Sequence, residues 1–149
     1  MPEAQSPDTA LCTERLIQAS PAAIFAAFAN ADLLAQWWGP DGFSNTFDAF
    51  DFQPGGRWVF TMHGPDGKDY ANEAVFTDIV AGERVVIEHV VPPWFLLTVT
   101  LQADGDGTRL TWIQAFETAA MAAKLAPVCR PSNEQVLDRL QRIVESRDR

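Results

Sequence analysis

Two imidazoles, one mid-strand carboxylate and one amide are the side chains here whose type and spacing suit them to chemistry. His89 closes the run Val85-Val86-Ile87-Glu88-His89 and shares parity with Val85 and Ile87. Strand alternation therefore places it on the core-facing side. An imidazole in an apolar cavity can hydrogen-bond a ligand or serve as a general base. The competing reading is a core histidine bonded to a neighbouring strand. Glu73 lies between Asn72 and Ala74, just before Val75-Phe76. Facing inward beside His89, it would complete an acid/base pair, with burial raising its pKa. Facing outward, it is a solvated strand residue. Parity near a bulge leaves both readings open. Gln114 shares parity with Leu110, Trp112 and Phe116. Its amide is expected inward, orienting a polar ligand group or sitting as a satisfied core amide. His63 has the opposite parity from Trp58, Phe60 and Met62, so it is expected on the solvent side without a role.

No glycine-rich phosphate loop, nucleophile elbow or His-Glu-x-x-His motif occurs in the chain. Two His with the distant Cys12 and Cys129 cannot build a structural zinc site without several carboxylates. No metal and no cofactor is expected. The two cysteines read as reduced thiols of a cytoplasmic protein. A net charge of −9 repels a phosphate backbone, so nucleic acid is not an expected partner. No apolar run reaches the roughly 18 residues of a membrane span. Residues 1–10 lack the basic and apolar regions of a signal peptide. Homodimerisation stays open.

The candidate residues need elements to hold them. The 149-residue chain is 47% hydrophobic, which is enough for one domain with a sizeable core. Residues 1–8 read as a flexible tail and 9–149 as that domain. Thr9–Ile17 reads as a strand with Leu11, Thr13, Arg15 and Ile17 on one side. Ser20-Pro21 starts a helix, with a capping hydroxyl and a proline at the first position. Asp32 is expected to cap a second short helix, Leu33 to Trp38, which Gly39-Pro40 ends.

From Phe43 the apolar period changes from 3.6 to 2. Strands are expected over Phe43–Gln53, with a bulge near Ala49, and over Arg57–His63, Tyr70–Ala81, Arg84–Val91, Phe95–Gln102 and Thr108–Phe116. Helical spacing returns after Thr118. Pro127 and Pro131 punctuate it, and Val136, Leu137, Leu140, Ile143 and Val144 form a stripe. Consecutive strands joined by short turns must be antiparallel. The fold class is α+β: a curved antiparallel sheet of six to seven strands around a long C-terminal helix, with two short helices after the first strand. A cavity between sheet and helix is where a ligand would go.

This order resembles the helix-grip layout of the SRPBCC (START-like) superfamily. The finer resemblance is to the branch named after the activator of heat-shock-protein ATPase. It is carried by Ser20-Pro21-Ala22 with Phe25, Trp37-Trp38-Gly39-Pro40, Pro54-Gly55-Gly56-Arg57-Trp58 and Gly64-Pro65-Asp66-Gly67. Glu83-Arg84-Val85, Gly107-Thr108-Arg109-Leu110, Asn133-Glu134-Gln135 and Leu137-Asp138-Arg139-Leu140 continue it. Two departures stand out. Ser132-Asn133 occupy the place of a Gly-Trp pair entering the last helix, and His89 the place of an aromatic in the fifth strand. The resemblance implies a hydrophobic small-molecule pocket, sometimes used for catalysis.

On this reading the pocket is lined by Trp58, Phe60, Met62, Trp112 and Phe116, with Trp37, His89 and Gln114 also expected to touch ligand. Adjacent helical residues point about 100° apart, so Trp37 and Trp38 cannot share a surface. Trp37 is expected to plug the core and Trp38 to lie toward the pocket rim or the next strand. The leading expectation is a domain that binds a small, mostly hydrophobic molecule. The first rival is an enzyme of cyclase, dehydratase or hydrolase type, with His89 and Glu73 converging on the cavity. The second is a protein-interaction or co-chaperone-like module, with Trp94 as a contact residue.

Overall fold

The computed structural model describes residues 8–147. Of the expected tail, residues 1–8, only Asp8 lies within the described residues. The elements run β1 (Ala10–Ile17), α1 (Pro21–Ala29), α2 (Ala31–Trp37), β2 (Ser44–Phe50), β3 (Arg57–His63) and β4 (Asp69–Val80). They continue with β5 (Arg84–His89), β6 (Phe95–Asp104), β7 (Gly107–Phe116) and α3 (Ala119–Arg147). The seven strands form one curved antiparallel sheet in the order β1-β7-β6-β5-β4-β3-β2, gripping α3. From β2 to β7 each strand pairs with its neighbour in the chain. Only β1 reaches across it, with Ala10 opposite Ala115 and Ile17 opposite Thr108.

Local chemistry explains the two short helices. The Ser20 hydroxyl accepts from the Ala23 amide at 3.1 Å and Pro21 takes the first helical position. The second helix is capped by Asn30 rather than Asp32. The Asn30 Oδ1 accepts from the amides of Asp32 and Leu33 at 2.9 and 3.2 Å. Asp32 instead sits in the first turn, where its charge favours the helix dipole. Gly39 then turns the chain at φ +95°, and a Cβ there would lie 2.8 Å from the Met62 methyl.

A bulge separates Phe47 from Ala49 in β2, so Phe47 and Phe50 both pack inward. A second bulge lies between Phe76 and Asp78. The inward residues Trp58, Phe60, Ala74, Phe76, Ile87, Leu97, Val99 and Trp112 meet Val136, Leu137, Leu140 and Val144 of α3 in one core. The helix edge facing β1 is polar. Arg15 bridges Glu134 and Asp138 at 2.7 and 2.6 Å, and the Thr13 hydroxyl donates to Glu134 at 2.7 Å. Pro127 and Pro131 lie inside α3 rather than at its ends. Lacking N–H groups, they cannot donate to the carbonyls of Ala123 and Pro127.

Candidate functional site

A cavity of about 220 Å³ lies between the sheet and α3. Alternation along four strands brings inward Trp58, Phe60 and Met62 of β3, Ala74 and Asn72 of β4, Ile87 and His89 of β5, and Phe95 and Leu97 of β6. Trp112 and Gln114 of β7 complete the sheet wall. The helix contributes Cys129, Ser132, Asn133 and Val136, and the corner after α2 contributes Trp38, Gly39 and Pro40. No Lys, Arg, Asp or Glu is among these residues. At one end the walls are aromatic: Trp38 packs edge-on against Trp58 at 5.0 Å and lies 6.1 Å from Trp112, and Trp58 stacks on Phe60 at 4.1 Å.

The Trp38 corner is held from below by one guanidinium. Arg139 of α3 donates to the carbonyls of Gly39, Pro40 and Trp38 at 2.7, 3.0 and 3.4 Å. It also donates to those of Gln36 and Phe43 at 2.6 and 3.1 Å. Of these, the Gln36 carbonyl belongs to the last turn of α2, where a helix leaves acceptors unsatisfied and a cation suits the dipole; the other four belong to the residues that follow the helix. Burial lowers the Arg139 pKa from its ordinary value, with the charge of Asp41 acting the other way. The Asn45 amide adds bonds to the carbonyls of Ala35 and Trp38 at 3.0 and 2.9 Å.

Two polar pairs interrupt the apolar wall. On β4 and β5, His89 Nε2 lies 2.7 Å from Asn72 Oδ1, and Nδ1 lies 2.8 Å from the Pro93 carbonyl. The Pro93 carbonyl can only accept, so Nδ1 carries a proton. Asn72 Nδ2 donates to the Tyr70 carbonyl at 3.0 Å, which turns its Oδ1 toward Nε2. A neutral ring therefore sets two acceptors face to face, and a second ring proton would complete the chain. Burial acts against that proton and holds the His89 pKa below its ordinary value near 6.5, opposed by backbone bonds to Pro93 and Val91. The ring also stacks on Phe95 at 4.6 Å and 9°, doing as a flat ring what an aromatic would do there. The second pair joins β7 to α3: Asn133 Nδ2 donates to Gln114 Oε1 at 3.1 Å. It occupies the place where the resemblance led one to expect an indole.

Several expected site residues lie elsewhere. Trp37 is fully buried behind the corner, donating to the Ala27 carbonyl at 3.1 Å and packing on Phe28. Trp37 thus plugs the core and Trp38 lines the cavity, as their separation of about 100° leads one to expect, while the expected ligand contact of Trp37 is not made. Phe116 lies in a smaller cluster with Leu11 and Ala122, beneath the start of α3. Glu73 pairs opposite Val59, on the outer face, and its carboxylate meets Arg57 at 2.9 Å. The bulge at Phe76–Asp78 falls beyond Glu73 and leaves its parity unchanged. Glu73 and His89 are therefore not brought together at the cavity. His63 contacts Thr46 and Asp69, both at 2.7 Å. Trp94 is half-buried and donates to Glu88 at 2.9 Å. Sequence reasoning missed Asn72, Phe95 and Asn133. Asn72 was legible in the alternation, being two residues from Ala74 and opposite Phe60.

A family model described as "Activator of Hsp90 ATPase homolog 1-like protein" matches residues 18–145. The chain belongs to this AHSA1 family. Solved structures with the AHSA1-like fold agree along nearly the whole chain. One from Nitrosomonas europaea has TM-score 0.85 at 18% identity, covering 94% of this chain and 96% of its own. One from Chromobacterium violaceum has TM-score 0.81 at 24% identity, covering 91% and 97%. An AHSA1-like protein from Aeromonas hydrophila has TM-score 0.75 at 22% identity, covering 92% of each chain. No curated protein matches the sequence. Among the described residues, no helix is long and apolar enough to cross a membrane.

Proposed function

We propose that this AHSA1-family domain binds a small, mostly apolar molecule in the cavity between its sheet and α3. The observation that carries the reading is a void of about 220 Å³, walled by four aromatic rings at one end and by paired amides and an imidazole at the other. The fold is of a ligand-binding type. Burial of ligand surface would supply affinity at about 25 cal/mol per Å² before association costs. A cavity near 150 Å³ accepts benzene, so this one suits one or two fused rings. Gln114 is the polar group with hydrogen-bonding capacity to spare. His89 shapes the wall, since both of its nitrogens already face protein oxygens.

Native mass spectrometry of the purified protein, with ¹H–¹⁵N spectra of the indole groups, tests the reading. A retained small molecule, or selective shifts of the Trp38, Trp58 and Trp112 signals on adding apolar one- and two-ring compounds, is the expected result. No retained mass together with unmoved indole signals would overturn it.

A further inference from the structure

The wall of the cavity is unevenly supplied with hydrogen-bonding groups. The indole N–H groups of Trp58 and Trp112 are buried and have no acceptor among the described residues. Both are closed off from the cavity as well, so neither meets a ligand directly. Gln114 is 93% buried and uses only its Oε1, leaving the two N–H donors of its amide without a partner among the described residues. Of the strand acceptors, Gln114 Oε1 accepts from Asn133, and Asn72 Oδ1 is covered by the His89 ring. The half-buried Ser132 and Asn133 on α3 can turn to water. Charge is missing as well, since no Lys or Arg lines the cavity and burial holds His89 toward its neutral form. A carboxylate ligand would be desolvated without a counter-charge, inside a chain of net charge −9.

Resting on the cavity reading above, we infer that the natural occupant is a neutral molecule: a flat apolar body of one or two rings carrying a hydrogen-bond acceptor oxygen, as in a ketone, ester, amide or ether. The acceptor meets the free amide of Gln114. The rings lie among Trp38, Trp58 and Phe60. The class excludes free carboxylic acids, which would be anions at neutral pH, and ammonium compounds, for which the cavity offers no anion.

Three probes of thirteen heavy atoms each separate these demands: 2-acetylnaphthalene, the hydrocarbon 2-isopropenylnaphthalene and 2-naphthoate. Each is titrated at pH 7 by tryptophan fluorescence and calorimetry. The ketone is expected to bind at least about tenfold more tightly than either other probe, the effect of one or two buried hydrogen bonds. In Gln114→Met the ketone's advantage over the hydrocarbon is expected to fall below about threefold, while hydrocarbon affinity, which reports an intact cavity, stays within about twofold. Hydrocarbon or naphthoate binding as tightly as the ketone, or a ketone preference unmoved by Gln114→Met, overturns the inference and leaves the cavity reading standing. If none of the three binds, both readings fall together.

Discussion

Filling the cavity from the sheet side separates a binding site from a packing defect. Ala74 is 1% exposed, faces inward on β4, and sits opposite Trp58 on one side and His89 on the other. It is the smallest side chain of the sheet wall. Ala74→Leu directs three more carbons into the void. At about 0.8 kcal/mol per buried CH₂ the gain has a ceiling of about 2.4 kcal/mol, against about 1–3 kcal/mol for crowding the neighbours. Stability is therefore expected to stay within about 1 kcal/mol of the parent, where three methylenes forced into a solid core would give a clear loss. The same atoms displace a comparable part of any ligand, so affinity should fall by about 2.4 kcal/mol, or roughly fifty-fold. Urea unfolding measures the first quantity and fluorescence titration with 2-acetylnaphthalene the second. A loss of more than about 3 kcal/mol in stability would refute the void, and unchanged affinity would place binding elsewhere.

Three further outcomes follow from particular contacts. Arg139→Met removes the donor to five backbone carbonyls at the Trp38 corner. It is expected to cost about 2–3 kcal/mol, read by urea unfolding, and to broaden the Trp38 indole signal. Gly56→Ala would set a methyl group 1.8 Å from the Asp51 carbonyl oxygen. The loop must then move, and a loss of at least about 3 kcal/mol in thermal or urea unfolding is expected. For His89 the folded-state pKa lies below 6.5, so the unfolded chain binds the proton more readily. Its stabilising contribution is complete above pH 6.5 and is lost as the pH falls through the window below it, with a slope of at most about 1.4 kcal/mol per pH unit. His89→Gln should flatten that part of the stability–pH curve, and a wild-type curve flat between pH 7 and 5 would count against the argument.

The architecture was legible because the period of the apolar residues changes cleanly. Trp58-x-Phe60-x-Met62 and Leu110-x-Trp112-x-Gln114 place their own side chains inward once the turns are recognised. The Ala49 bulge could be inferred because Phe47 and Phe50 cannot otherwise share a face. What sequence could not settle was set by contacts across the chain. That Trp37 plugs the core and Trp38 lies toward the cavity follows from the roughly 100° between them, but that Trp37 touches no ligand space depends on the angle of α2, which Arg139 holds from about a hundred residues away. The position of Phe116 depends on where α3 begins its crossing, since its parity is inward yet it packs beyond the cavity's end. Asp32 lost the capping role because Asn30, two residues earlier, already satisfies both amides. Glu73 was an ambiguity of parity, resolved once the second bulge fell after it.

The pairing of β1 with β7 sets a timetable for synthesis. The two strands lie about ninety to a hundred residues apart in the chain, so at roughly 5–20 residues per second the ribosome needs roughly 5–20 s to produce the partner of the first strand. During that interval β3 to β6 can each zip onto the preceding strand, while β1 waits with its backbone groups open to any neighbouring edge. Its waiting form carries Glu14 and Arg15 amid short apolar stretches, a charged pattern that discourages premature pairing with a second nascent chain. The closing event in the life of the sheet is thus the docking of its oldest segment. The same event brings Arg15 within reach of Glu134 and Asp138, so the final strand and the final helix become fixed together.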